Sequence, residues 1–218
     1  CAPIGKFTAA PEKYSDMEYR SEMERGYAYS ETLFSPGIFS SELSRGDELH
    51  IVASLQQLAP SEALDILDRQ AFRLKHLSET FLRTSGIERT DFGDTLLLAS
   101  DTFVNASEKH HGITAGFHWF SEWTRDSMIS LPGLLLCTGR FALARQVLLS
   151  HASRMEDGLL PNFIDENGAA HYDSADASLW FVNAVREYLE WSNDITFVQQ
   201  LMWRHIRAFL SSYVQGNG

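Results

Sequence analysis

A mainly α fold of paired helices, preceded by a short β-hairpin region, is predicted by three features of the sequence. Apolar residues recur at three- and four-residue spacing in successive segments after residue 60, whereas before it the patterns are short and alternating. Tight connections, such as that at Gly139, alternate with long loops at 106–123 and 156–173 that are rich in Gly, aromatic and polar residues. Helical hairpins joined in this way gather their long loops on one face, as toroids of paired helices do.

The elements follow in order. Phe34-Ser35-Pro36-Gly37 opens a turn, 38–43 alternates as a strand, Ser44-Arg45-Gly46-Asp47 is turn chemistry and 48–54 alternates again. That pattern predicts a β-hairpin, and because a lone hairpin is marginal in water it is expected to belong to a larger sheet. Leu64, Leu67, Ala71, Leu74 and Leu77 then mark an amphipathic linking helix within 59–88. A helix at about 90–105 is apolar nearly all round, with Leu96, Leu97, Leu98, Phe103 and Val104, which predicts burial on more than one side. Further helices are expected at 124–138, 140–154, 174–191 and 195–214.

Composition narrows the function. Eighteen basic against twenty-nine acidic residues give a formal charge of -11, and no basic run interrupts that bias. Nucleic acid and anionic membrane are therefore not expected as partners, while a neutral ligand such as a carbohydrate fits. Cys1 and Cys137 signal no disulfide framework, which points to a reducing compartment and a cytoplasmic location. The start, Cys1-Ala2-Pro3-Ile4-Gly5-Lys6, has neither an initiator Met nor a basic and apolar leader, and reads as the middle of a longer chain. The longest apolar run, 131–137, contains Pro132 and Gly133 and is too short to span a bilayer.

The chemistry concentrates in Trp119-Phe120-Ser121-Glu122-Trp123-Thr124-Arg125-Asp126, where two indoles, two carboxylates and a guanidinium precede an apolar helical pattern. Glycoside hydrolysis needs one carboxylic acid at the leaving oxygen and a second carboxylate for water or for the anomeric carbon. With Thr124 as N-cap, Asp126 falls in the first helical turn and can be that acid; equally, it can simply complement the helix dipole, and spacing does not separate the two readings. Arg125 and Glu122 can hydrogen-bond sugar hydroxyls, and Trp119 and Trp123 can offer flat faces to a pyranose.

A second region, Asp157-Gly158-Leu159-Leu160-Pro161-Asn162 followed by 171–181, adds Asn162, Tyr172 and Asp176 as hydroxyl partners and Trp180 as another platform. Asp173 reads as a helix N-cap with Asp176 as its capping-box partner, which leaves the role of Asp176 open. His110 and His111 are adjacent and, with His118, lack metal-ligand spacing, so no zinc site is expected. Ser127 has no nucleophile elbow, and the glycines form neither a P-loop nor a dinucleotide fingerprint.

Three ordered blocks carry a specific resemblance. Trp119-Phe120-x-x-Trp123-x-Arg125-Asp126-Ser127-Met128-Ile129-Ser130-Leu131-Pro132-Gly133 with Thr138-Gly139-Arg140-Phe141, then Asp157-Gly158-Leu159-Leu160-Pro161-Asn162, then Tyr172-Asp173-Ser174-Ala175-Asp176-Ala177-Ser178-Leu179-Trp180-Phe181 resemble the amylo-α-1,6-glucosidase catalytic domain of glycogen debranching enzymes. More weakly, Arg25-Gly26-Tyr27 and Leu33-Phe34-Ser35-Pro36-Gly37 resemble the tail of that family's N-terminal β-rich domain.

The resemblance implies three parts: 1–58 as the tail of the β-rich domain, 59–88 as a linking helix, and 89–218 as the first half of an (α/α)6 toroid. It implies an inverting hydrolysis of α-1,6-linked glucosyl branches of glycogen or a related glucan, with Asp126 as general acid. The base carboxylate is expected beyond Gly218, so the isolated chain is expected to be inactive. Apolar surface left by the half-ring is expected to be covered by the rest of the toroid or by a second copy. Two carboxylates and a water suffice, so neither metal nor organic cofactor is expected. A non-catalytic carbohydrate-binding or scaffold protein on the same half-toroid, and a trehalase- or glucoamylase-like toroid enzyme, are the alternatives.

Overall fold

The computed structural model describes residues 5–216 apart from 56, 107–110, 117–119, 166–167 and 175, and leaves the side chains of 60, 61 and 63 undescribed. The chain divides into two units, Cys1–Ala71 and Phe72–Gly218.

In the first unit, strand β1 (Gly5–Glu18) pairs antiparallel with β2 (Ser30–Ser41) across the short helix α1 (Arg20–Glu24). Phe7 faces Phe39 and their rings lie 4.9 Å apart. The register breaks between Ala9 and Glu12, where Pro11 has no N–H to give the ladder. This corrects the expected hairpin. Residues 44–47 do turn, with the Asp47 amide donating to the Ser44 carbonyl at 3.1 Å, yet 48–54 forms no strand and β2 pairs upstream instead. A turn brings neighbours together, but β1 offers cross-strand pairs along nearly all of β2, and that longer register decides the pairing.

Helix α2 (Pro60–Ser85) carries the chain into the second unit. There α3 (Asp91–Asp101) starts where the Thr90 hydroxyl accepts from the Gly93 amide. The expected loop at 106–123 instead contributes to a three-stranded antiparallel sheet, β3 (Val104–Ala106), β4 (His111–Gly116) and β5 (Phe120–Glu122). Helix α4 (Thr124–Leu131) runs on as a wider π-helical turn, Pro132–Leu136, closed by the Cys137 amide on the Pro132 carbonyl at 3.0 Å. Proline has no N–H to continue the α ladder, and the wide turn absorbs the mismatch. Helix α5 (Phe141–Ala152), the small hairpin β6 (Phe163–Ile164) and β7 (Ala170–His171), and α6 (Ala177–Ser192) follow. Last come α7 (Ile195–Phe197), a second π turn (Val198–Met202) and α8 (Trp203–Val214). The structure is mainly helical, as expected, and among the described residues no helix is long and apolar enough to cross a membrane.

The core sits where α4, α5 and α6 meet the first π turn: Met128, Leu131, Leu135, Leu136, Val147, Leu148, Phe181 and Val185 are buried, with Ile113 of β4 and Leu160 closing its edge. Helix α3 departs from expectation, since Leu97 is buried while Leu96 and Leu98 are exposed. It packs by one face only, and its other apolar residues help line a cavity of about 520 Å³ beside the end of α2.

An ion cluster fixes that corner. Asp101 receives Arg73 of α2 at 3.0 Å through Nη1 and Arg140, just before α5, at 2.8 Å. Burial opposes the Asp101 charge, but the hydrogen bonds and charges of Arg73 and then Arg140 outweigh it and hold its carboxyl below the usual carboxylate range. Such a group stabilises the fold above its unfolded pKa, and the contribution is lost as pH falls through the lower folded value. Asp101→Asn is therefore expected to lower stability at neutral pH and to flatten the acid side of a thermal-melt pH series. In the core, Phe181→Ala is expected to cost about 3–5 kcal/mol, while Leu179→Ala on the exposed side of the same helix costs under about 1 kcal/mol; chemical denaturation of both variants measures the contrast.

Candidate active site

Two loops are stitched together where α4 begins. The first N–H groups of a helix have no internal partner, and Trp123, the residue at the cap position, supplies no side-chain bond. The neighbouring loop supplies the acceptor: the Thr124 amide donates to the Asn162 carbonyl at 2.6 Å, and the Thr124 hydroxyl donates to the Pro161 carbonyl at 2.6 Å. Thr124 is thus the first helical residue rather than the cap, which leaves Asp126 in the first turn as expected. Ser127 is buried and donates to the Ile113 carbonyl at 3.1 Å, tying α4 to β4.

Beneath this junction lies a polar network. Glu122 accepts from Arg154 Nη1 at 2.6 Å and stands 3.3 Å from His151 Nε2. The other ring nitrogen of His151, Nδ1, is 3.2 Å from the Thr124 hydroxyl oxygen, and His151 is completely buried. Glu122, which the sequence suggests for sugar contact, is therefore held by internal partners. Nothing in the sequence singles out His151 or Arg154; a buried His and an Arg on and after an apolar helix look like chance polar residues until the fold brings them to Glu122.

Above the junction the aromatic residues form a ladder. Trp123 stacks on Phe163 with centroids 4.5 Å apart, and Phe163 stacks on His171 at 4.3 Å, with Asp165 Oδ2 3.2 Å from His171 Nε2. Phe163 covers one face of the Trp123 indole, so at most the other face can meet a ligand. Trp119, like His110 and His118, lies outside the described residues.

The start of α6 meets the start of α4. Asp176, not Asp173, occupies the cap position of α6, which corrects the expected assignment. Neither provides a capping bond: Asp176 accepts from the Ser174 hydroxyl at 2.6 Å, and Asp173 lies 3.4 Å from the Asn162 side-chain amide. Local competition from the Ser174 hydroxyl draws Asp176 away from the helix amides. Arg125 Nη1 reaches Asp176 Oδ1 at 3.8 Å. The Ser174 hydrogen bond, with help from the Arg125 charge and the Trp180 side chain, holds the Asp176 carboxyl below its ordinary pKa. Asn162 is buried and its side-chain oxygen has no hydrogen-bond partner among the described residues. Tyr172 is partly exposed; burial, then a hydrogen bond and charge from Glu156, raise its phenol above the ordinary value. Tyr172 and Asp173 line a cavity of about 260 Å³ with Leu160, Ser178, Phe209 and Tyr213.

Of the three acidic residues expected in the site, Glu122 and Asp176 are tied to neighbours. Half-buried Asp126 makes no side-chain hydrogen bond or ion pair among the described residues; only its backbone carbonyl is engaged, by Ser130 at 2.6 Å. No group of three His, Cys, Asp or Glu side chains that could hold a metal occurs among the described residues. Asp157-Gly158, part of one conserved-looking block, is architectural: both residues have positive φ, Glu156 and Leu159 exchange backbone bonds across them, and a Cβ on Gly158 would lie 2.5 Å from the Ala208 carbonyl.

Comparison with known proteins agrees with the blocks. Residues 98–218 match the family model described as amylo-alpha-1,6-glucosidase, and residues 2–50 match the one described as the glycogen debranching enzyme N terminal. A glycogen debranching enzyme of Saccharomyces cerevisiae is 37% identical over 93 residues, which is 40% of this chain and 6% of the yeast protein. The chain therefore spans a small part of that relative's length.

Removing Arg154 takes from Glu122 a charged partner at 2.6 Å. Arg154→Met is expected to cost about 1–3 kcal/mol, the usual worth of a hydrogen bond to a charged group, and Glu122→Gln is expected to reduce that cost; chemical denaturation of the single and double variants checks the coupling.

Proposed function

Since the chain belongs to the amylo-alpha-1,6-glucosidase family, a family of glycosidases, we propose that it forms part of an inverting enzyme that removes α-1,6-linked glucosyl branches from glycogen or a related glucan. Asp126 is the general acid in this reading. The observation that carries it is the contrast among carboxylates: Glu122 and Asp176 are engaged, while among the described residues the Asp126 carboxyl has no partner. A general acid must keep its proton for the leaving oxygen, and a carboxyl spent on a structural bond is poorly placed to do so.

In the reaction, Asp126 gives its proton to the glycosidic oxygen as the C1–O bond breaks, and a water adds to C1 from the opposite face while the base takes its proton. The base carboxylate comes from a segment outside this chain. Arg125 and Asp176, linked at 3.8 Å, hold sugar hydroxyls beside Asp126, and the face of Trp123 away from Phe163 packs on the ring. Asn162, Tyr172 and Trp180 line the surroundings of this subsite, and Trp119, outside the described residues, is a further candidate platform. The helices of 89–218 are read as the first half of an (α/α)6 toroid, with 1–58 as the tail of a β-rich domain and 59–88 as the link. The rest of the ring then covers the apolar residues left exposed on α3 and α8. The acidic, cysteine-poor composition suits a neutral glucan and a cytoplasmic location.

In the full-length protein, Asp126→Asn is expected to lower glucose release from a branched limit dextrin by about 10²- to 10⁴-fold with little change in KM. Unchanged release would remove Asp126 from the role of acid.

A further inference from the structure

We infer that His151 is a positioning residue for the general acid, acting through Thr124. The inference rests on the assignment of Asp126 made above. A hydroxyl has one proton to give. That of Thr124 goes to the Pro161 carbonyl at 2.6 Å, so its oxygen can only accept at His151, and Nδ1 must carry a proton. This fixes the orientation of a completely buried imidazole. Its other nitrogen, Nε2, lies 3.3 Å from Glu122 Oε1, the same oxygen that Arg154 Nη1 reaches at 2.6 Å; that contact is attractive with a proton on Nε2 as well, as in the imidazolium.

The chain of contacts runs Arg154, Glu122, His151, Thr124, Pro161, and it crosses the cap of α4 twice. Glu122 precedes Trp123 and Thr124 follows it, so His151 touches the side chains on both sides of the residue where the helix begins. Asp126 lies two residues beyond Thr124 in the same turn. No side-chain bond anchors the Asp126 carboxyl among the described residues, so its direction is set by the backbone it stands on. Rotating that first turn by a small angle displaces the acid from the leaving oxygen, and misplacements near 1 Å are costly in rate.

The test separates proton delivery from folding by the choice of leaving group. A branched limit dextrin leaves as an alcohol and needs the acid; α-glucosyl fluoride leaves as fluoride and needs it far less. In the full-length protein, His151→Phe and the isosteric Thr124→Val are expected to lower the dextrin kcat by about 10- to 100-fold while changing the fluoride kcat less than about two-fold, and Asp126→Asn is expected to show the same imbalance more strongly. A proportional fall on both substrates, or no fall, in the two network variants while Asp126→Asn keeps its imbalance overturns the inference alone. Loss of the imbalance in Asp126→Asn itself removes the acid assignment and the inference with it. Thr124→Val keeps the volume of the native side chain, so the test stands even if His151→Phe does not fold.

Discussion

The constraint on which the second unit depends is the unsatisfied beginning of α4. A helix that starts inside a packed structure must find acceptors for its first amides, and Trp123 cannot supply one. The Asn162 carbonyl does so, and the Thr124 hydroxyl adds a second bond to the Pro161 carbonyl. Through these two bonds, segments nearly forty residues apart in sequence become one surface. The loop that carries Trp123 is then stacked on Phe163, and the start of α6 comes within reach of Arg125.

This arrangement separates two jobs that the sequence mixes in one block. The core below is apolar and closely packed, with Met128 and Leu131 of α4 against Phe181 and Val185 of α6. Beside that core lies the Glu122, His151 and Arg154 network, in which the Arg154 guanidinium bonds the partly buried Glu122 carboxylate at 2.6 Å and buried His151 stands 3.3 Å from it, a pairing that limits the cost of removing these charges from water. Arg125, Asp126 and Asp176 also remain at least partly exposed. Side chains cross-linked beside a helix start suit a site that must hold a proton donor in one place while a large polymer binds and leaves.

Helical periodicity made most of the second unit legible, because a buried stripe at three- and four-residue spacing leaves little choice of structure. It did not reveal the π turn at Pro132–Leu136, since the apolar pattern continues unbroken through the proline. The strands β3 and β5 to β7 were also hidden, having only two or three residues each, and β4, His111-Gly112-Ile113-Thr114-Ala115-Gly116, lacks a clear alternation. In the first unit, local turn signals at 44–47 pointed to the wrong partner for β2, because strand pairing is settled by contacts between distant segments. At the site, Arg125, Asp126 and Asp176 were visible as chemistry, while the commitment of Glu122 to internal partners, and the existence of its network with His151, depended on the fold. Asp157-Gly158 shows the opposite case: a block that looks functional and serves a tight turn against α8.

The central claim is that the start of α4, beside the start of α6, is where a terminal glucosyl unit sits. The most direct test is a crystal structure of the full-length protein with a glucose-mimicking iminosugar. The account predicts the inhibitor ring within hydrogen-bonding distance of Asp126, with Arg125 or Asp176 on its hydroxyls and the face of Trp123 away from Phe163 against it. An inhibitor bound elsewhere in the protein, with Asp126 and Arg125 untouched, would contradict it.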